Sequence, residues 1–437
     1  MLRSSGPAHS IRSRSQSTAF GGCMNKHSEY VVARQKTSSL AGPPRGPGKS
    51  ADGVAWQGLP DRVAVRLGRC VTLASVSVVV LLTNTLTLCA ADWPLVRGDA
   101  AATGAVAEPL PQSLDILWTY QAVDSGFEAT ASIVAGIVYV GDADGTFHAV
   151  KLADGSPVWT KKFEETGFVA GSAVVDGRIY CVDYNGIVRC LKAENGETIW
   201  EFNTDTSLYA APNVYNGIVL LAADSGQLFA LDAVTGEKKW EPFTIDQPLR
   251  CWPTVVSERV LIAGCDGKLH LVDVNTGMDV ESIDIGGPAD GMPAVIGDRV
   301  FFCTAGGVFH GMTIKPLEAL WQFGHRGQGE EIHAAAATET AIVLGTHDKR
   351  MVALKPATGE VIWSVPLKSR AESSPVIAGN LALFGTVRGR LQAVEMADGK
   401  EVWNEEVGGR FTASPALSDG RLVIGNDDGT LYCVGGK

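Results

Sequence analysis

The chain is short of the residues from which most catalytic and metal sites are assembled. After residue 91 its cysteines, Cys181, Cys190, Cys251, Cys265, Cys303 and Cys433, stand apart, with no adjacent pair and no Cys-x-x-Cys. That spacing argues against structural zinc and thioredoxin-like redox chemistry. Positive charge is scarce too: from Asp92 onward there are 26 Lys/Arg against 45 Asp/Glu. Phosphate recognition needs clustered Lys and Arg, so nucleic acid is not expected as a partner. Helix caps are few, and apolar residues alternate with a period of two rather than recurring at helical spacing, which excludes helical repeats.

What is present is a repeat. Gly217–Trp240, GIVLLAADSGQLFALDAVTGEKKW, holds two apolar runs, Ile218–Ala222 and Gln227–Leu231, around a turn at Asp224-Ser225-Gly226. A second turn at Thr235-Gly236 leads to a Trp. Short β-rich runs bounded by Gly, Asn, Asp or Ser read as consecutive antiparallel strands. Gly136–Trp159 repeats every landmark in order. The equivalent positions are Trp118, Trp159, Trp200, Trp240, Glu281, Trp321, Trp363 and Trp403, spaced by 40–42 residues. A period near 40 with four short strands per unit predicts a β-propeller. Seven units follow Trp118, and an eighth, Phe411–Cys433, ends before a Trp of its own. Leu114–Tyr120 is a Trp strand with no strands before it. The expected fold is therefore all-β, an eight-bladed propeller of four-stranded antiparallel blades, closed by this N-terminal strand completing the last blade.

The units IVYVGDADGTFHAVKLADGSPVW, VLLAADSGQLFALDAVTGEKKW and RLVIGNDDGTLYCV resemble the repeats of pyrroloquinoline-quinone (PQQ)-type propellers, and the likeness spans about residues 113–437. One fold hosts many functions, so the resemblance specifies architecture before activity.

Ahead of the repeats lie three stretches. Residues 1–69 carry eleven Lys/Arg against three Asp/Glu in a Ser/Gly/Pro-rich composition, which reads as a disordered basic tail or as a start site set too far upstream. Residues 70–91 are uncharged and follow Arg62, Arg66 and Arg69, the pattern of a signal peptide or a single-pass anchor. Residues 92–112 are expected to be a linker whose Trp93 packs on the propeller. Their D-W-P-x-x-R-G start resembles that of exported PQQ-repeat proteins.

The repeat Trp side chains, Trp118, Trp159, Trp200, Trp240, Trp321, Trp363 and Trp403, are expected to be structural, because identical spacing implies one packing role. Blade four has Glu281 in that place and is expected to be the least stable. Unit five departs as well, with Lys315-Pro316-Leu317 replacing its Thr-Gly turn. Cys181 and Cys190 flank one hairpin. A two-residue Asn185-Gly186 turn would make them direct partners and a disulfide, whereas a three-residue turn shifts the register so that they do not face. His148, His270 and His310 share one repeat position, on separate blades, and read as satisfied side chains. Asp142–Gly145 and Asn426–Gly429 read as Asx-type turns rather than calcium loops.

Function is expected at the axial face. There the repeat places Glu128, Tyr209, Arg250, Asp290, Glu372 and Thr412 at equivalent sites opening the innermost strands, with Trp252, His333, Arg370 and Arg410 beside them. The resemblance implies three readings. The first is an exported, non-enzymatic scaffold similar to the BamB-like propellers of outer-membrane protein assembly, membrane-attached or periplasmic, monomeric, with protein partners. Leu88 before Cys89 departs from a lipoprotein signal. The second is a sensor of a small ligand or glycan. The third is a PQQ-dependent dehydrogenase, which would use a catalytic Asp, calcium held by Glu and Asn, and often a vicinal Cys pair. That pair is absent here, and the even spacing has no insertions to build a cofactor pocket. The expectation is no catalytic residue, no metal, and neither PQQ nor calcium.

Overall fold

The computed structural model describes residues 92–289, 291–324 and 334–436. The readings of 1–69, of 70–91, and of Asp290 and His333 lie outside them.

Each repeat folds into one antiparallel sheet. Blade one is Ser132–Val134, Ile137–Gly141, Thr146–Lys151 and Pro157–Lys162, in that order from hub to rim. Its inner three strands are almost wholly buried because neighbouring blades cover both faces, while the rim strand is mostly exposed. Tight turns set the register. Asn216 and Gly217 both take positive φ (47° and 75°) between Asn213–Tyr215 and Ile218–Ala222, the geometry that matches strand twist in a two-residue hairpin. Innermost strands of consecutive blades touch, and that of blade eight touches that of blade one, so the eight sheets form a closed ring. Closure is by Asp115–Gln121, which pairs antiparallel with Thr430–Gly435 as the rim strand of blade eight.

The repeat Trp residues join one blade to the next. Trp159 Nε1 donates to Ala193 O at 3.0 Å across the seam between blades one and two. Its ring lies over Gly196, where an added Cβ would come within 2.8 Å of it. Trp118, Trp200, Trp240, Trp321 and Trp363 make the same bond, to Leu152, Ala233, Val274, Pro356 and Met396. Their rings meet Gly155, Gly236, Gly277, Gly359 and Gly399. The two irregularities of the sequence therefore meet at one place. Glu281 would face the turn of blade five, and that is the turn in which Leu317, buried against the core of blade four, stands in the glycine's place. The seam between blades four and five lacks both halves of the contact. Blade four keeps a full rim strand, Asp279–Asp284. Blade three has the shortest rim strand among the described residues, Phe243–Thr244, because Pro242 cannot donate to the ladder.

Cys181 and Cys190 do not form the disulfide. Cys181 pairs with Arg189 and Cys190 with Tyr180, so the two thiols project from opposite faces of blade two into different cores. Both are free and buried. Burial raises both pKa values, that of Cys190 to about 11.

Residues 92–112 are not a simple spacer. Closing the ring leaves the hub edge of every blade with unpaired backbone groups, and residues 93–106 run round the hub and pair with those of six blades. Trp93 exchanges two hydrogen bonds with Ile133 of blade one (2.7 and 2.9 Å). The amides of Val174, Val255, Val295, Ala337, Ile377 and Gly379 donate to the carbonyls of Pro94, Ala100, Ala101, Thr103, Gly104 and Val106 at 2.7–3.0 Å. Blade three contributes a side chain, with Asn213 Nδ2 donating to Ala100 O at 3.0 Å. Ala105–Val106 adds in parallel to the hub edge of blade seven. Trp93 packs on the propeller as expected, at 0% exposure.

Candidate functional site at the axial face

The hub segment gives the ring two unlike ends. The carboxylate of Asp92 accepts from the amide of Ala135, in the turn after the innermost strand. The segment thus crosses the end of the hub where innermost strands finish. Glu128 lies four residues before that strand begins, on the approach to its other end. The candidate ring of axial residues is at the opposite, mouth end, with the hub segment as its floor.

Arg97 rises from that floor. Its Nη2 donates to Ala335 O (3.1 Å) and Pro375 O (2.6 Å), on blades six and seven. Both acceptors lie two residues before the amides that bind the segment, on the side toward the mouth. The side chain is 1% exposed and, among the described residues, has no carboxylate within ion-pair distance; burial lowers its pKa to about 10, with Asp99 opposing the shift. Gly104 makes room for it. A Cβ there would stand 2.0 Å from Nη2, and φ is +63°.

At the mouth, the structure gathers three candidates into one network. Glu372, half-buried, accepts from Arg370 Nη2 through Oε1 (3.0 Å) and from Arg410 Nε through Oε2 (2.9 Å), with Arg410 Nη2 bonding the same oxygen. His347 Nδ1 lies 3.4 Å from Arg370 Nη1, and Asp427 Oδ1 accepts the backbone amide of Arg410 at 2.6 Å. A second group joins Arg250 Nε to Asp224 Oδ1 (2.6 Å), with the guanidinium carbon 6.0 Å from the Tyr209 ring centre. Glu128 and Thr412 are half-buried on blades one and eight. Trp252 is half-buried. It packs against the inner strands of blades three and four beside Ala100.

Three partners escaped the sequence reading: His347, Asp224 and Asp427. Each sits in the middle hairpin turn of its blade, and nothing in the repeat distinguishes a turn residue that reaches the axis from one that caps the turn. Arg97 was missed as well. The available signal was one arginine in an otherwise small and apolar lead-in, framed by Gly98 and Gly104.

The shared histidine position behaves as expected, as separate polar contacts. His148 bonds Asp142 and Tyr120, and His310 lies 3.4 Å from Thr304 Oγ1. Asp142 also accepts the amides of Asp144 and Thr146, so its loop is an Asx turn. Among the described residues no three His, Cys, Asp or Glu side chains are placed to hold a metal ion.

His270 lies between Asp266 (2.9 Å) and Asp279 (3.2 Å). Burial works against its charged form, but the bonds to the two carboxylates outweigh burial and raise its pKa. Asp266 is likewise opposed by burial, yet its bonds to His270 and Lys268 lower its pKa. The stability from His270 is complete below its unfolded value, about 6.5, and is lost as pH rises through the folded value. That from Asp266 is complete above about 3.9 and lost as pH falls through the folded value. Blade four is therefore expected to be firmest between about pH 4 and 6.5. Hydrogen exchange of Lys268–Asp273 should show protection falling above that window in the native protein and flat in His270→Gln.

Comparison with known proteins agrees with this architecture. The sequence profile of the family described as outer membrane protein assembly factor BamB matches residues 112–241, 143–286 and 245–435, overlapping stretches that cover the propeller. Among solved structures, BamB from Moraxella catarrhalis superposes with a TM-score of 0.63 at 19% identity, covering 74% of this chain and 98% of that one. The computationally designed protein Ika8 gives 0.66 at 17% identity, covering 73% and 98%. Quinohemoprotein alcohol dehydrogenase from Comamonas testosteroni gives 0.67 at 17% identity, covering 79% and 80%. At these identities the structures share the fold and no more. No curated protein sequence matches the chain significantly.

Proposed function

Because the chain belongs to the propeller family described as outer membrane protein assembly factor BamB, we propose that it is an exported, non-enzymatic scaffold that holds protein partners on its axial face. The observation that carries this reading is the state of the charges there. Arg370, Arg410 and Glu372 are bonded to one another, as are Arg250 and Asp224. A general acid or base needs a group poised to exchange a proton, whereas charges fixed in ion pairs give a rigid, patterned rim. Complementary rims govern orientation and association rate at protein interfaces. In this reading the propeller works as a monomer in the periplasm or cell envelope, with no metal, PQQ or other resident cofactor.

Crosslinking of the tagged protein in cells, followed by identification of captured proteins, tests this. A component of an outer-membrane assembly complex should be recovered from the native protein. Recovery should fall about tenfold or more with Arg250→Glu and Arg370→Glu, provided circular dichroism shows both variants folded. Capture of no protein would overturn the scaffold. Titration with a quinone or with glycans would then separate the dehydrogenase from the sensor.

A further inference from the structure

We propose that the hub of the propeller is a peptide-recognition site, occupied here by the chain's own lead-in and selective for its Trp-Pro-x-x-Arg-Gly sequence. The contacts divide as they do when a peptide adds to a sheet edge, where the main chain supplies affinity and side-chain pockets supply selectivity. Carbonyls of residues 93–106 receive amides from six blades, and a side chain of a seventh. Those bonds go to main-chain carbonyls and read no side chain, along a segment that turns at Leu95–Gly98 and again at Asp99–Ala102. Two side chains would not be replaceable. Trp93 is fully buried, its Nε1 donates to Val96 O at 3.3 Å, and its ring lies 3.0 Å from where a Cβ on Gly98 would stand. Arg97 reaches past the segment to two carbonyls on different blades. The Pro in the motif offers no amide, and Pro94 uses only its carbonyl here.

The segment is also joined to the ring in the manner of a tethered ligand. Ala107, Glu108, Pro109 and Pro111–Ser113 are exposed, with Leu110 between them anchored in the core, and only after them does Asp115–Gln121 enter blade eight. A cut after the exposed Gln112 would leave every hub contact intact. The inference is independent of which partners use the mouth.

The test is made on the full chain carrying a site-specific protease sequence inserted after Gln112. After cleavage the N-terminal fragment should travel with the ring through size-exclusion chromatography, and excess fluorescent peptide of residues 92–106 should exchange into the hub. Arg97→Ala or Trp93→Ala in the cut chain should speed fragment release by at least about tenfold. Three results would overturn the proposal. The native fragment could leave a ring that stays folded, so that the hub has no affinity for it. The ring could unfold on cleavage, so that the segment is part of one covalent fold rather than a ligand. Or both variants could hold as long as the native fragment, so that the motif carries no selectivity.

Discussion

Trp159→Ala is expected to destabilise the propeller by about 3–5 kcal/mol, the range for removing a large aromatic from a packed site. The ring stacks on Phe147 and covers Gly196, and Nε1 satisfies the carbonyl of Ala193. Truncation opens a cavity between two blades and leaves that carbonyl without its donor. Gly196→Ala attacks the same contact from the other side, since its Cβ would meet the indole at 2.8 Å and its φ of +73° strains any side chain. Urea denaturation followed by circular dichroism measures both. The comparison that isolates the mechanism is Glu281→Trp. If the indole stabilised simply by burying area, this substitution would add stability. If it needs the turn glycine of the next blade, it gains nothing, because blade five has the bulky Leu317 there. We expect no gain. Hydrogen exchange should also find the seam between blades four and five opening at lower free energy than the seam between blades one and two.

The second large effect is expected at Arg97. Arg97→Ala leaves Ala335 O and Pro375 O buried without a donor, at about 1–3 kcal/mol each. Removing a desolvated guanidinium, whose pKa burial lowers to about 10, returns part of that. The net cost should be about 2–4 kcal/mol, read as a lowered urea midpoint. Loss of protection should be concentrated at the amides of Ala337 and Ile377, which the segment covers. Gly104→Ala should reproduce the pattern, because its Cβ would occupy the position of Nη2. Uniform loss of protection throughout the ring would instead mean that Arg97 supports the whole fold and not the hub.

These two residues show how unevenly the protein can be read from its chain. The Trp spacing announced eight blades because a covalent repeat must place the same residue at the same point of each sheet. Arg97 is a single event outside the repeat. Its partners are 238 and 278 residues away, and no periodicity records such a distance. The axial face was legible in part for the same reason. Repeat equivalence put Arg370, Glu372 and Arg410 at the mouth, while their bonding to one another and to His347 depended on the closing of blades six, seven and eight. Trp252 shares that repeat logic and still packs between blades, because its side chain is large enough to reach the apolar inner strands.

The thiols mark the same boundary within one hairpin. Sequence alone left the turn between Cys181 and Cys190 open to two registers, and a shift of one residue moves a side chain to the other face of the sheet. The observed register puts the pair on opposite faces. By itself, then, the sequence determined the repeat, the blade number, the closing strand and the packing role of the Trp residues, all of which follow from local alternation and regular spacing. Only the tertiary structure decided that the lead-in fills the hub, that the mouth charges pair with one another, and that both irregular units share a seam. Those depend on which distant residues the closed ring brings within reach, and no local pattern contains that information.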